Sequence, residues 1–260
     1  MSDFCVSIFQ QTARDDPPAA KLNWLDMAAN RASGQGANLL ICPALSLSGH
    51  HVGDMLRERA EPVLGEYSER VGEIASLHEI AIVFGYPEVA DGALFNACAF
   101  IQPNGKMLSH HRKNHVPPGF EAEYFSPDSH VRVFDYAGWR MALLIGYDIE
   151  FPEAARQAAL QGAEFLIVPT ALSSKWKFIA ETLVPARAFE NGVFLAYANW
   201  AGRKDGADYL GGSRIVGPDG VCDAEAGASE TILMATLEKS RLENTRARQP
   251  YLQDRQRYHL

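Results

Sequence analysis

The residues with chemistry to offer fall in a few short stretches of the chain. The first is Met141-Ala-Leu-Leu-Ile-Gly-Tyr-Asp-Ile-Glu-Phe-Pro-Glu153, which opens with five apolar residues and turns at Gly146. So short an apolar run, followed at once by glycine, reads as a buried strand, and Pro152 suits the first turn of a helix. A sharp strand-to-helix turn is where a hydrolase often mounts its nucleophile, and the first free N–H groups of the helix can hold an oxyanion. Here the turn presents glycine, which has no side chain to attack with. Glycine also tolerates strained torsions, so the fold loses nothing by it.

The second stretch, His110-His-Arg-Lys-Asn-His115, sets Lys113 between a strand and Pro117-Pro118. A lone lysine is ordinarily a surface charge. In a pocket it becomes a fixed cation that can hold an anion or polarise a carbonyl. His50 and His51 follow Ser48-Gly49. A pocket histidine titrates near neutrality and can serve as a base, and its plainer role is a hydrogen-bonded wall residue. Cys42 is a possible nucleophile. On an extended strand it shares a face with Ala44, two residues on, but nothing near it in sequence offers a base.

The elements that must position these residues can be read from periodicity. Residues 4–9, 38–43 and 80–86 read as strands, and 19–33 and 64–78 as helices. Leu22, Leu25, Ala28 and Ala29 line one face of the first helix, which Gly34 and Gly36 end. Residues 94–102 and 106–111 read as a hairpin across Asn104-Gly105, the commonest tight-turn pair. Residues 131–136 and 140–145 form another pair across Ala137-Gly138. Beyond the turn at Gly146 come a helix (153–161), a strand (165–168), a helix (178–191) and strands at 193–198, 213–216 and 231–237. Helices alternate with strands in both halves, with no Pro- or Ser-rich linker, repeat or low-complexity segment between them. The pattern predicts one α/β domain with a mixed sheet system over residues 1–260. The tail, 241–260, is rich in arginine and reads as a solvated or partner-bound extension.

Composition narrows the function classes. The chain is 47% hydrophobic and 22% charged, an ordinary balance for a soluble globular protein. Its net charge is −8, with no long like-charge block, which argues against nucleic acid as a partner. The four cysteines, Cys5, Cys42, Cys98 and Cys222, are widely spaced and form no metal-type pair; the first three sit in apolar strand-like runs and suit small buried hydrophobes. No uninterrupted apolar run approaches the roughly 18 residues of a membrane span, and the start is an alternating strand rather than a secretory signal. A cytoplasmic, reduced protein with no metal and no membrane association is expected.

Gly146-Tyr-Asp-Ile-Glu-Phe-Pro-Glu-Ala-Ala-Arg156, with Gly162-Ala163 and Val168-Pro169-Thr170 beyond it, resembles the nucleophile segment of the nitrilase superfamily of carbon–nitrogen hydrolases. The family pattern there reads Cys-Tyr-Asp. Leu40-Ile-Cys-Pro-Ala-Leu-Ser-Leu-Ser-Gly49 resembles the segment carrying the family's catalytic glutamate, and Arg112-Lys-Asn-His115 the segment carrying its catalytic lysine. The resemblance spans nearly the whole chain. On it, Ala44 stands at the glutamate position, Gly146 at the cysteine position, and Lys113 remains.

The resemblance implies a four-layer α-β-β-α sandwich, a small amide, nitrile or carbamoyl-type ligand, no cofactor, and a homodimer formed through helix faces and the tail. Residues 40–53 and Tyr197-Ala-Asn-Trp200 look most like the short aliphatic-amide amidases. Glu121 matches a second glutamate that the family holds near its lysine; otherwise it is a loop carboxylate. His50, Tyr147, Trp176 and Trp200 are further candidates for ligand contact, with wall or core packing as the alternative. Asp148 and Arg156 suit helix capping or a packing ion pair. Arg187, Glu190 and Asn191 suit a structural tie from helix to sheet.

In the family the cysteine thiolate attacks, the glutamate moves the proton and the lysine stabilises the tetrahedral oxyanion. Without the first two, thiol-dependent hydrolysis is not open to this sequence. Three expectations follow. The chain is a repurposed or non-catalytic member that keeps the pocket; or it uses the pocket for a non-covalent C–N bond reaction with Lys113 and His50; or it is an amidase inactivated by engineered substitutions at 44 and 146.

Overall fold

A computed structural model describes residues 3–258. The first half runs β1 (Phe4–Gln10), α1 (Pro18–Gly34), β2 (Leu39–Ile41), α2 (Met55–Glu58), α3 (Glu66–Leu77), β3 (Ala81–Ala90), β4 (Ala93–Ile101), β5 (Met107–Arg112) and α4 (Phe120–Tyr124). The second runs β6 (Val133–Tyr136), β7 (Trp139–Leu143), α5 (Pro152–Leu160), β8 (Phe165–Pro169), α6 (Val184–Asn191), β9 (Phe194–Ala198), β10 (Ala201–Lys204), β11 (Ala207–Leu210), β12 (Arg214–Val216), β13 (Cys222–Glu225), β14 (Thr231–Leu237), α7 (Lys239–Arg248) and α8 (Tyr251–Asp254).

The strands build two six-stranded sheets, ordered β14-β1-β2-β3-β4-β5 and β13-β12-β9-β8-β7-β6. Each has a parallel centre, β1-β2-β3 in one and β7-β8-β9 in the other, flanked by antiparallel strands. The central strands are apolar on both faces, as a strand covered on both sides must be. Along β8, Phe165 and Ile167 enter the core between the sheets, while Leu166 and Val168 pack under α5 and α6. Along β9, Phe194 and Ala196 face inward and Leu195 and Tyr197 outward. On the other sheet Leu39 and Ile41 face inward, and Leu40 joins Leu25, Ala28, Val71 and Ala75 of α1 and α3. The result is the four-layer α-β-β-α sandwich. Each large apolar side chain fully buried in these layers contributes about 1.5–3 kcal/mol.

The tail departs from its reading as an extension. Leu242 of α7 is buried in the core between the sheets. Arg241 pairs with Asp219 and Asp223, and Arg246 donates to the carbonyls of Gly192 at 2.8 Å and Ala163 at 2.7 Å. Those two carbonyls lie in the loops that follow α6 and α5. Arg246 therefore ties the tail to those loops, and Arg241 ties it to the β12–β13 connection and β13. The hairpin β10–β11 and the edge strand β13 also appear without having been anticipated. Among the described residues, no helix is long and apolar enough to cross a membrane.

Candidate active site

The segments singled out by their chemistry all follow the ends of central or flanking strands. Ala44 comes three residues after β2, Gly146 three after β7, and Lys113 directly after β5. Crevices beyond the carboxyl ends of parallel strands are where α/β sheets ordinarily bind ligands.

Gly146 opens a single 3-10 turn, Gly146–Glu150, before α5 begins at Pro152. Its φ is +44°, in the left-handed region that glycine enters freely. A β-carbon placed on Gly146 would stand 3.1 Å from Thr170 Oγ1 and 3.7 Å from Lys113 Nζ. A side chain here therefore aims at the lysine.

Asp148 fixes this turn. It is fully buried, and its carboxylate accepts from the N–H groups of Ile145 at 3.0 Å, Asn114 at 3.1 Å and His115 at 2.8 Å. His111 Nε2 lies 3.3 Å and His115 Nδ1 3.0 Å from the same group. Burial by itself would raise this carboxyl, but the two histidines and the Ile145 N–H hold it well below the usual range. The turn is thus tied to the segment that carries Lys113.

Lys113 is 3% exposed, and its ammonium donates to both oxygens of Glu121, at 2.8 and 2.7 Å. Glu121 lies on α4 rather than in a loop. Asn96 Nδ2 donates to it at 3.2 Å, and His50 Nε2 stands 3.4 Å away. Burial opposes its ionisation, yet the Lys113 ammonium and His50 keep it well below the ordinary carboxylate range. The other ring nitrogen of His50 reaches Tyr209 Oη at 3.2 Å.

Ala44 forms the facing wall. Its N–H donates to the Thr170 carbonyl at 3.2 Å, and its carbonyl accepts from the Trp200 indole at 2.8 Å. Gly85 of β3 allows this path, since a β-carbon there would fall 2.3 Å from the Leu45 nitrogen.

Ala44, Lys113, Glu121, Gly146, Tyr147 and Trp176 all border one cavity of about 490 Å³, together with Pro117, Pro118, Ile145, Glu150, Thr170, Ala171, Leu172 and Ile179. Trp176 is 62% exposed, so it sits at the mouth. Four expectations need correction. Trp200 is not in the cavity wall; it is 1% exposed and braces Ala44 from behind. His50 likewise stands behind Glu121 rather than in the wall, which removes it as a base in contact with ligand. Cys42 does not share a face with Ala44. It packs under α1 and α3 while Ala44 joins the core between the sheets, and burial pushes its thiol far up. β2 ends at Ile41, so strand alternation does not carry across Pro43 to residue 44. Arg156 does not cap the turn either; its Nη1 is buried without a hydrogen-bond partner among the described residues.

Glu150 was not singled out by the sequence. It closes the turn begun by Gly146 and borders the cavity, and burial raises its carboxyl to about 7 against the opposing pull of Lys113. Arg187 of α6 holds the main chain there, donating from Nη2 to the Glu150 carbonyl at 2.9 Å and from Nε to the Ile149 carbonyl at 3.1 Å.

Comparison with known proteins agrees with this geometry. The carbon–nitrogen hydrolase family model matches residues 5–247. A protein described as a hydrolase in the pqqF 5' region of Pseudomonas protegens is 37% identical, over 96% of this chain and 88% of its own length. An (R)-stereoselective amidase from a Pseudomonas species is 33% identical, over 96% of this chain and 90% of its own. A mutant of an amidase of the nitrilase superfamily from Nesterenkonia superposes with a TM-score of 0.89 at 33% identity, over 98% of this chain and 95% of that one. Another structure of that amidase, in complex with butyramide, superposes with a TM-score of 0.85 at 33% identity, over 94% of this chain and 95% of that one. The chain belongs to the carbon–nitrogen hydrolase family, within the nitrilase superfamily, and is an amidase-like member of it.

Proposed function

We propose that this protein binds a small amide or related carbonyl compound in the cavity beside Lys113 and does not hydrolyse it through a thiol. One observation carries the reading: Ala44 and Gly146 border the same cavity as a buried Lys113–Glu121 pair. The electrostatic part of an amide site is therefore present, and the nucleophile and base positions carry no reactive group. Lys113 Nζ, held by Glu121, offers its remaining proton to a ligand carbonyl. The butyramide held by the Nesterenkonia amidase supports a primary amide of that size as ligand. Nucleophile and base act as a unit, so losing both leaves binding without the covalent path. The same reading has the chain as a homodimer, which sedimentation velocity would check.

The test compares the chain with an Ala44→Glu, Gly146→Cys double variant. Butyramide binding is followed by calorimetry and ammonia release by a coupled assay. We expect both proteins to bind and only the double variant to release ammonia. Ammonia release by the unaltered chain, abolished by Lys113→Ala, would instead show a catalytic site that works without Cys and Glu. Absence of binding by both would remove the amide reading.

A further inference from the structure

Glu150 has no place in the chemistry above, yet it borders the cavity. Its main chain is fixed by two hydrogen bonds from Arg187, which is 8% exposed and paired with Glu190 at 3.0 Å. The side chain is therefore delivered to the cavity by a rigid support. Among the described residues, no group donates a hydrogen bond to its carboxyl. The nearby cation, Lys113, gives two of its three protons to the oxygens of Glu121 and none to Glu150. With Glu150 ionised, the cavity holds one ammonium and two carboxylates. Only water is left to satisfy a half-buried carboxylate without a protein donor, and a ligand cation is a stronger partner than water. Burial raises this carboxyl to about 7. Leu172, Ile179 and Trp176 supply apolar wall to the same cavity.

We propose that Glu150 selects the ligand's charge: it receives a protonated primary amine on the same small molecule whose amide carbonyl meets Lys113. The ligand class is then a short aliphatic amide ending in an ammonium group. Ligands ending in a carboxylate are rejected, because they would meet the like charge of Glu150. This rests on the amide-binding reading above and adds the identity of the far end of the ligand.

Three probes separate the two ideas: pentanamide, 4-aminobutanamide and succinamate, which end in a methyl, an ammonium and a carboxylate at matched length. Binding is measured by calorimetry at pH 8, where Glu150 is ionised. We expect 4-aminobutanamide to bind about tenfold or more tighter than pentanamide, and succinamate weakest. In Glu150→Gln the ratio of the first two should fall to about one.

A measurement on the unaltered chain gives a second check. The charged and titratable groups that act on Glu150 are Lys113 and Tyr197; Glu121 and Tyr147 border the same cavity, and Arg187 is bound to its main chain. Affinity for 4-aminobutanamide should rise between pH 6 and pH 8 as Glu150 ionises, with proton release on binding at pH 6.5, while pentanamide shows neither. If pentanamide binds and the ammonium confers no advantage, or the advantage persists in Glu150→Gln, the charge-selection proposal falls and the amide reading stands. If none of the three binds, the amide reading fails and takes this proposal with it.

Discussion

Asp148 and Glu150 lie two residues apart on the same 3-10 turn and face opposite fates. Asp148 is fully buried and meets three main-chain N–H groups and two histidines. Glu150 is half-buried and meets no donor among the described residues. Burial pushes both carboxyls up, but the donors around Asp148 reverse the shift and hold it low, while Glu150 is left near 7. The difference shows that depth does not decide the state of a carboxyl; the count of donors does. It also sorts roles. A carboxylate saturated by its own chain has nothing left for a ligand, whereas one left short is available to a ligand.

The comparison can be broken most forcefully at Asp148. Asp148→Ala leaves the N–H groups of Ile145, Asn114 and His115 facing a void, and should cost about 3–5 kcal/mol by thermal or denaturant unfolding. A loss below about 1 kcal/mol would show that the carboxylate does not hold the turn. Asp148→Asn keeps an acceptor but sets an amide N–H₂ against donors, and should cost about 1–3 kcal/mol. Arg187→Ala removes the clamp under Glu150 and Ile149, and should cost about 1.5–3 kcal/mol. It should also lower the preference for an ammonium-bearing amide, since Glu150 is then held less firmly.

The smallest effect sharpens the contrast through pH. Asp148 and Glu121 have folded values below their unfolded ones, so their stabilisation is present above about pH 4 and is lost as pH falls through the folded values. Glu150 runs the other way. Its folded value of about 7 exceeds the unfolded one, so ionising it works against the fold, increasingly from about pH 4.3 up to pH 7. Glu150→Gln should therefore raise the melting temperature more at pH 8 than at pH 5. An equal change at both values would mean that the carboxyl titrates normally.

Much of this was legible in the sequence. Continuous apolar runs in 165–168 and 193–198, and the run from Met141 to Ile145 ending at glycine, read as strands and a turn where β8, β9, β7 and the Gly146 turn stand. Lys113, Ala44 and Gly146 were found by their motif context, and the cavity brings them together. What escaped depends on long-range geometry. The direction of Glu150 is set by one 3-10 turn and by Arg187, 37 residues away. Trp200 follows a strand that leads to the cavity, yet its indole turns to the Ala44 carbonyl 156 residues earlier. The face of Cys42 required knowing that β2 stops at Ile41. The docking of α7 hid behind its arginines, whose partners are two aspartates and two carbonyls distant in sequence that no local pattern records.

The two tryptophans around Ala44 give the molecule a built-in optical reporter. Trp176 is largely in water at the cavity mouth, whereas Trp200 is sealed behind the wall with its indole N–H engaged. A molecule entering the cavity covers the first and leaves the second dry as before, so its arrival shifts the exposed component of the emission to shorter wavelength while the buried component stays in place. Movement of the Ala44 wall itself would do the reverse, disturbing the sealed component through its hydrogen bond. Occupancy and wall motion are thus distinguishable by colour once Trp24 and Trp139 are replaced by phenylalanine, which leaves these two as the emitters.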